Sequence, residues 1–348
     1  MRSTRPKPLH MLCGRAMVLY VIDALAECDV HKAVVVVGHG AERVTKKLQD
    51  EAGELELEFV EQHVQRGTGD ATSVGLTAFI DDDDDGDVVV LPGDTPLLRA
   101  STISALVREH RLSEAACTIL TARSDDATGY GRIVRDKDDR IERIVEERDA
   151  TDEIRQITEW NTSIYCFRRS LLAPALRRVT PDNEQGEYYL TDVVEVLRDA
   201  GYSIVPILAT DDVEPQGIND RRQLAAAEAE LRRRINDAWL GAGVTMVDPD
   251  RTYIDSTVRL APDVTIFPGT LLQGATVIGE GVELGPETRL VECTVGDRAI
   301  VERTVGRHAD IGAGAVVGPY AVLEPGSHVV PGARTGPFYT ATAEESGH

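Results

Sequence analysis

From Leu260 onward, apolar residues recur every six positions, through Ile266, Leu272, Ile278, Leu284 and Leu290. The series resumes at Val295 and Val301, slips again, and continues through Val305, Ile311, Val317, Leu323 and Val329. A period of six is neither the 3.6 of a helix nor the alternation of a sheet. It predicts a left-handed parallel β-helix in which each hexad forms one face of a triangular coil, with glycine often following the apolar residue. Thirteen such starts at three per coil predict about four coils. The shorter spacings before Val295 and Val305 predict irregular corners.

The region before the repeat has a different grammar. Val34–Val37 closes at Gly38-His39-Gly40, and Asp87–Leu91 closes at Pro92-Gly93-Asp94. Short β-branched runs ended by turns read as strands buried on both faces. Helical spacing over 17–28, 41–52 and 69–80 alternates with them, which predicts an α/β fold of Rossmann-like type. That fold has a mostly parallel sheet with helices on both faces. Residues 220–242, rich in Ala, Leu, Glu and Arg, predict one connecting helix. The acidic run Asp81–Asp85 reads as a solvated loop.

Charge excludes several partners. With 59 acidic and 37 basic residues among 348, the net charge is −22. A field of that sign repels nucleic acid and anionic membranes, and also phosphorylated substrates unless local bases or a metal screen them. Only five lysines occur, at positions 7, 32, 46, 47 and 137. Five cysteines without CxxC spacing read as reduced thiols. No apolar run approaches the roughly 20 residues of a membrane span, and no signal-peptide core is visible. A cytoplasmic protein is expected.

Ligands of an open α/β sheet gather beyond the carboxyl ends of its strands, where Asp94 falls. A carboxylate there suits a divalent cation and equally suits the cap of a helix starting near Thr95-Pro96. Gln62 ahead of Gly67-Thr68-Gly69 offers an amide beside a glycine turn at a helix start, and also reads as an ordinary loop. Singly, Gly129-Tyr130-Gly131-Arg132, Glu146 and Asn161 are unremarkable. Asn219 suits a helix cap and Lys7 a surface lysine.

Their order resembles one family. Thr4–His10, Gln62 with Gly67-Thr68-Gly69, Pro92-Gly93-Asp94, Thr128–Ile133, Ile144-Val145-Glu146, Glu159–Thr162, the QGEYYLTD block at Gln185–Asp192 and Gly217-Ile218-Asn219 are similar to the bacterial N-acetylglucosamine-1-phosphate uridylyltransferases. That family joins a nucleotidyltransferase domain to a hexapeptide β-helix bearing an acetyltransferase. The resemblance implies Mg²⁺-dependent transfer of UMP from UTP to N-acetylglucosamine-1-phosphate, giving pyrophosphate and UDP-N-acetylglucosamine for the cell wall. It implies catalytic roles for Lys7, on the phosphates, and Asp94. Asp94 and Asn219 would hold Mg²⁺. Gln62 would meet uracil, Gly67 and Thr68 the nucleotide, and Gly93 the ribose region. Gly131, Glu146 and Asn161 would meet the amino-sugar phosphate.

Two departures qualify the resemblance. The family begins with a strand and a phosphate loop, Leu-x-x-Gly-x-Gly-Thr-Arg-Met, whereas this chain starts at the final Met of that pattern. A start codon assigned too late is the expected explanation, with weak or no turnover for the chain as written. In the second, Glu324 stands where the family has an arginine, and His308 and His328 read as surface residues, so no acetyl transfer is expected. The expected organisation is a nucleotidyltransferase domain at 1–219, a connecting helix at 220–243, the β-helix at 244–338 and a tail at 339–348. A homotrimer is expected from the flat β-helix faces. Competing readings are a sugar-1-phosphate nucleotidyltransferase of other specificity, an impaired sugar-nucleotide-binding paralogue, and an acyltransferase suggested by the hexads alone.

Overall fold

A computed structural model describes residues 1, 3–79 and 86–343. The predicted loop at Asp81–Asp85 and residues 344–348 of the tail lie outside them. The chain divides into two compact units, Met1–His10 with Ala16–Arg221, and Met11–Arg15 with Arg222–His348. Among the described residues no helix is long and apolar enough to cross a membrane.

The first unit opens with helix α1 (Met17–Ala26), strand β1 (Ala33–Val37), α2 (Ala41–Glu51), β2 (Leu57–Glu61) and α3 (Thr68–Leu76). There follow β3 (Asp87–Val90), α4 (Ala100–Leu112), β4 (Cys117–Arg123), β5 (Arg132–Arg135), β6 (Ile141–Val145) and β7 (Glu159–Arg168). The unit closes with α5 (Arg169–Leu176), α6 (Asp192–Asp199) and β8 (Ile204–Leu208). β1 and β2 form a parallel ladder, and β8 runs parallel to β4.

β7 runs antiparallel to β3, β4 and β5, and β6 runs antiparallel to β5, so two reversed strands, β6 and β7, interrupt the parallel set that the sequence predicts. The β7 core side chains Tyr165 and Phe167, with Leu172, Leu190 and Val193, are buried together. The valine runs depart from expectation. Val34–Val36 and Val88–Val90 are only half-buried, because among the described strands β1 and β3 each have a hydrogen-bonded neighbour on one side only.

The second unit contains helix α7 (Arg221–Gly241) and a parallel β-helix. Its three sheets hold five, six and five strands, so the solenoid makes about five turns instead of four. The extra strands, Thr245–Met246, Thr252–Ile254 and Thr340–Ala341, lie outside the regular hexads and were invisible to the count. Leu272, Ile278, Leu284, Leu290, Val295, Val301, Ile311, Val317 and Leu323 all point into one core.

Val305 is the exception. It faces outward, and Gly306 takes the inward place, stacked on Leu290. A Cβ at Gly306 would lie 3.1 Å from Leu290 Cδ2 and 3.3 Å from Cys293 Sγ. Those two side chains already fill that stretch of core, so the smallest residue goes inside. Ile235 and Trp239 of α7 pack against the same core. Buried Asn236 donates to the carbonyls of Pro249 and Thr252 at 2.9 and 3.0 Å, satisfying backbone groups at the first coil. His308, Glu324 and His328 are all exposed.

Candidate active site

Beyond the end of β3, the chain turns at Pro92-Gly93 and delivers Asp94. The next helix starts only at Ala100, after Arg99, so Asp94 caps no helix there. The Ile218 N–H donates to the Asp94 carbonyl at 3.0 Å, which seats Asn219 beside Asp94. Lys7, in a single 3₁₀ turn, donates from Nζ to Asp94 Oδ2 and to Asn219 Oδ1, the latter at 2.7 Å. Three residues far apart in sequence thus meet, and Lys7 is no idle surface lysine. At Gly93 a Cβ would have only ordinary contact, 3.7 Å from Val18 Cγ2.

The donors here are one carboxylate and one amide oxygen converging on the positive charge of Lys7. Hard oxygens of this kind fit a divalent cation such as Mg²⁺, which takes one or two protein ligands and completes its shell with phosphate oxygens and water. No group of three or more His, Cys, Asp or Glu able to hold a metal occurs among the described residues. An all-protein cage is therefore not what these residues build.

A second cluster forms around the glycine turn. Gly67 precedes α3 with φ of 105°, in the region that favours glycine. A Cβ there would lie 2.5 Å from the Tyr188 carbonyl oxygen. The turn is bolted to the QGEYYLTD block from both sides. Tyr188 N–H donates to Arg66 O at 2.8 Å, Gly69 N–H to Tyr188 O at 2.8 Å, and Leu190 N–H to Thr68 Oγ1 at 3.0 Å. Gln62, just past β2, is fixed by its N–H to Val37 O at 2.8 Å. Its Nε2 donates to Asp70 Oδ2 at 2.8 Å and to Gly67 O at 3.3 Å.

The third cluster joins Gly131, Glu146 and Asn161. The Asn161 N–H donates to Gly131 O at 2.8 Å, and a Cβ on Gly131 would sit 3.4 Å from Glu146 Oε2. The β4–β7 register shifts beside Asn161, and Ser163 takes a left-handed φ of 62°. Such a bulge re-aims side chains locally. Glu146 Oε1 accepts from Thr191 Oγ1 at 3.1 Å. Burial pushes the Glu146 carboxyl above its usual range, the Thr191 bond opposes that, and Asp192 and Asp149 reinforce it.

Residues that the sequence did not single out tie these clusters together. Tyr130 packs against Trp160 with ring centroids 4.2 Å apart and the planes tilted by 32°. Its hydroxyl pKa is raised by burial, opposed by the Gly217 backbone and reinforced by Asp94, so Tyr130 links the Asp94 corner to the strand of Asn161. Residues 188–191 connect the glycine turn to Glu146. The signal for Thr191 lay inside the QGEYYLTD block. Asp70 carried none beyond its place four residues after Arg66.

A profile of the nucleotidyl transferase family matches residues 2–243. The chain is 41% identical over 338 residues to the bifunctional protein GlmU of Heliobacterium modesticaldum, covering 97% of this chain and 72% of that protein. It is 45% identical over 342 residues to the bifunctional protein GlmU of Streptomyces coelicolor, covering 98% and 70% respectively. Against the bifunctional protein GlmU of Halalkalibacterium halodurans the identity is 40% over 338 residues, with 97% and 73% covered.

Proposed function

This chain belongs to the nucleotidyl transferase family, in its GlmU-type branch, and from that premise we propose that it transfers UMP from UTP to N-acetylglucosamine-1-phosphate. The coarser activity, sugar-1-phosphate nucleotidyl transfer by a uridylyltransferase, follows from family membership. The observation that supports phosphate-directed transfer is the convergence of Lys7, Asp94 and Asn219, where a strongly acidic protein sets one cation beside two oxygen ligands, and the choice of UTP and N-acetylglucosamine-1-phosphate rests on the likeness to the GlmU relatives.

In this reading the sugar phosphate oxygen attacks the α-phosphorus of UTP in line and pyrophosphate departs. No covalent enzyme intermediate is needed, so the residues act by positioning and charge neutralisation. Lys7 neutralises phosphate charge, moving off its two present partners. Asp94 and Asn219 would hold Mg²⁺, which supplies Lewis-acid stabilisation of phosphate charge when bound. Gln62 reads the uracil edge, Gly67 and Thr68 seat the nucleotide, and Gly93 passes close to the ribose. Gly131, Glu146 and Asn161 hold the amino-sugar phosphate. Losing one such electrostatic contact typically costs about 10²–10³ in rate.

The test is pyrophosphate release by the full-length gene product, with each nucleoside triphosphate paired against N-acetylglucosamine-1-phosphate and other sugar-1-phosphates. Highest activity with UTP and N-acetylglucosamine-1-phosphate, dependent on Mg²⁺, supports the reading. Preference for another pair leaves the reaction class and overturns the substrate assignment.

Two further properties belong to the proposal. The exposed Glu324 lies at the position where the resemblance implies an arginine, so acetyl transfer to glucosamine-1-phosphate is absent. The outward row Tyr253, Leu271, Arg289, Val305, Val322 and Thr340 runs in register along one sheet. Its apolar members form the surface through which three copies associate.

A further inference from the structure

We propose that Asp70 is a positioning residue that fixes the Gln62 side-chain amide so that only its carbonyl oxygen faces the nucleobase. The proposal rests on the reading of Gln62 as the base-contacting residue and adds to it the polarity of that contact.

A side-chain amide carries two donors on nitrogen and an acceptor on oxygen, and it can flip between them. In Gln62 that freedom is gone. Both groups facing Nε2, the Asp70 carboxylate oxygen at 2.8 Å and the Gly67 carbonyl at 3.3 Å, are pure acceptors. A flipped amide would set oxygen against oxygen, so the network itself assigns the orientation. Both nitrogen donors are used. Among the described residues no donor reaches Gln62 Oε1, which remains to accept from a ligand.

Asp70 is held in turn. Arg66 donates from Nη2 to Asp70 Oδ1 at 2.8 Å, and the Arg66 guanidinium lies 6.0 Å above the Tyr188 ring centroid. The Asp70 side chain is only 11% exposed while that of Arg66 is 59% exposed. An outer arginine thus steadies an inner carboxylate, which steadies the amide. The Gln62 backbone is anchored as well, its N–H on Val37 O and its carbonyl accepting from Gln65 Nε2 at 3.1 Å.

An oxygen presented alone and set against ring position N3 selects for a base that carries a proton there. Uracil offers its N3–H on the Watson–Crick edge, whereas cytosine places an unprotonated N3 there. Asp70 thereby converts an ambidextrous amide into a uracil-selective acceptor.

The experiment measures UTP and CTP binding by calorimetry for the full-length protein and for Gln62→Ala, Asp70→Ala, Asp70→Asn and Arg66→Ala, with melting temperature as the check on folding. The wild type is expected to prefer UTP. Asp70→Ala should lower the CTP-to-UTP ratio of dissociation constants about tenfold, the worth of one hydrogen bond's orientation. Asp70→Asn, whose oxygen still accepts from Nε2, should restore most of it. A merely structural role would weaken both nucleotides alike and leave the ratio unmoved. If Asp70→Ala does not fold, the exposed Arg66→Ala carries the test, with a drop of about threefold expected. Loss of discrimination in Gln62→Ala with an unchanged ratio in the Asp70 or Arg66 variants overturns the positioning role alone. An unchanged ratio in Gln62→Ala overturns the assignment of Gln62 to the base, and this proposal with it.

Discussion

Lys7 Nζ donates to Asn219 Oδ1 at 2.7 Å across 212 residues of sequence, and the same ammonium is bonded to Asp94. The first lysine of the chain and the last residue of its proposed site are therefore one constellation, fixed by the bond from Ile218 N–H to Asp94 O.

Removing either oxygen ligand should separate catalysis from stability. Asp94→Ala and Asn219→Ala are each expected to lower pyrophosphate release by at least about 10²-fold. The Lys7–Asp94 pair is partly exposed, at 35% and 22% of its side chains, and such pairs contribute at most about 1 kcal/mol. Melting temperatures within a few degrees of wild type, alongside lost turnover, would bear this out. Equal turnover in Asp94→Ala would refute it.

Gly67→Ala should be more damaging than its size suggests. The left-handed φ and the 2.5 Å approach of a Cβ to Tyr188 O put strain of about 1–3 kcal/mol into the turn and pry it from the QGEYYLTD block. At least a tenfold loss of UTP affinity in calorimetry is expected, together with a lowered melting temperature. Gly129 also has a positive φ, of 88°, but nothing lies within 4 Å of its Cβ position. Gly129→Ala should therefore show only the smaller, purely conformational cost.

Stability should depend on pH through Asp192. Burial, then Glu195 and Asp149, push its carboxyl from 3.8 up to about 6, outweighing its favourable place in the first turn of α6. A raised folded value means the native state holds the proton more tightly than the unfolded chain. The contribution is fully present below about pH 4 and is lost as pH rises through about 6. Asp192→Asn removes the buried charge. It should melt higher than wild type at pH 7–8, with the difference vanishing near pH 4 in a thermal-shift series. A difference that grows toward acid would contradict the assignment.

The solenoid register can be checked by paired substitutions. Leu290 is fully buried, and Leu290→Ala should cost about 2–5 kcal/mol in denaturant unfolding. Val305 and Val322 are 41% and 39% exposed. Val305→Asp with Val322→Asp should keep the β-rich circular dichroism while converting a trimer to monomers in light scattering. A monomeric wild type would remove the proposed assembly.

The sequence made the two halves legible for different reasons. Hexads announce themselves because each buried side chain must stack on the one a turn below, so Leu272 and Leu290 repeat a single environment. Where a corner shortens, periodicity no longer decides which residue turns inward. The choice of Gly306 over Val305 is made by Leu290 and Cys293 filling the core from the neighbouring coil, which no local pattern records. The α/β half shows the same limit. Its valine runs announce strands, but the reversed direction of β7 and the half-exposed faces of β1 and β3 depend on pairing partners distant in sequence. In the site, glycines and block motifs pointed to Gln62, Gly67, Asp94 and Glu146. Tyr130, Thr191 and Asp70 act through contacts made only after folding.

The most direct test of the central claim is a crystal structure of the full-length protein with UTP and Mg²⁺. The expected result is a metal ion bound by Asp94 and Asn219 and by phosphate oxygens, with the Lys7 ammonium moved from those two residues onto phosphate. A nucleotide bound with Lys7 still bridging Asp94 and Asn219, and the metal held elsewhere, would contradict it.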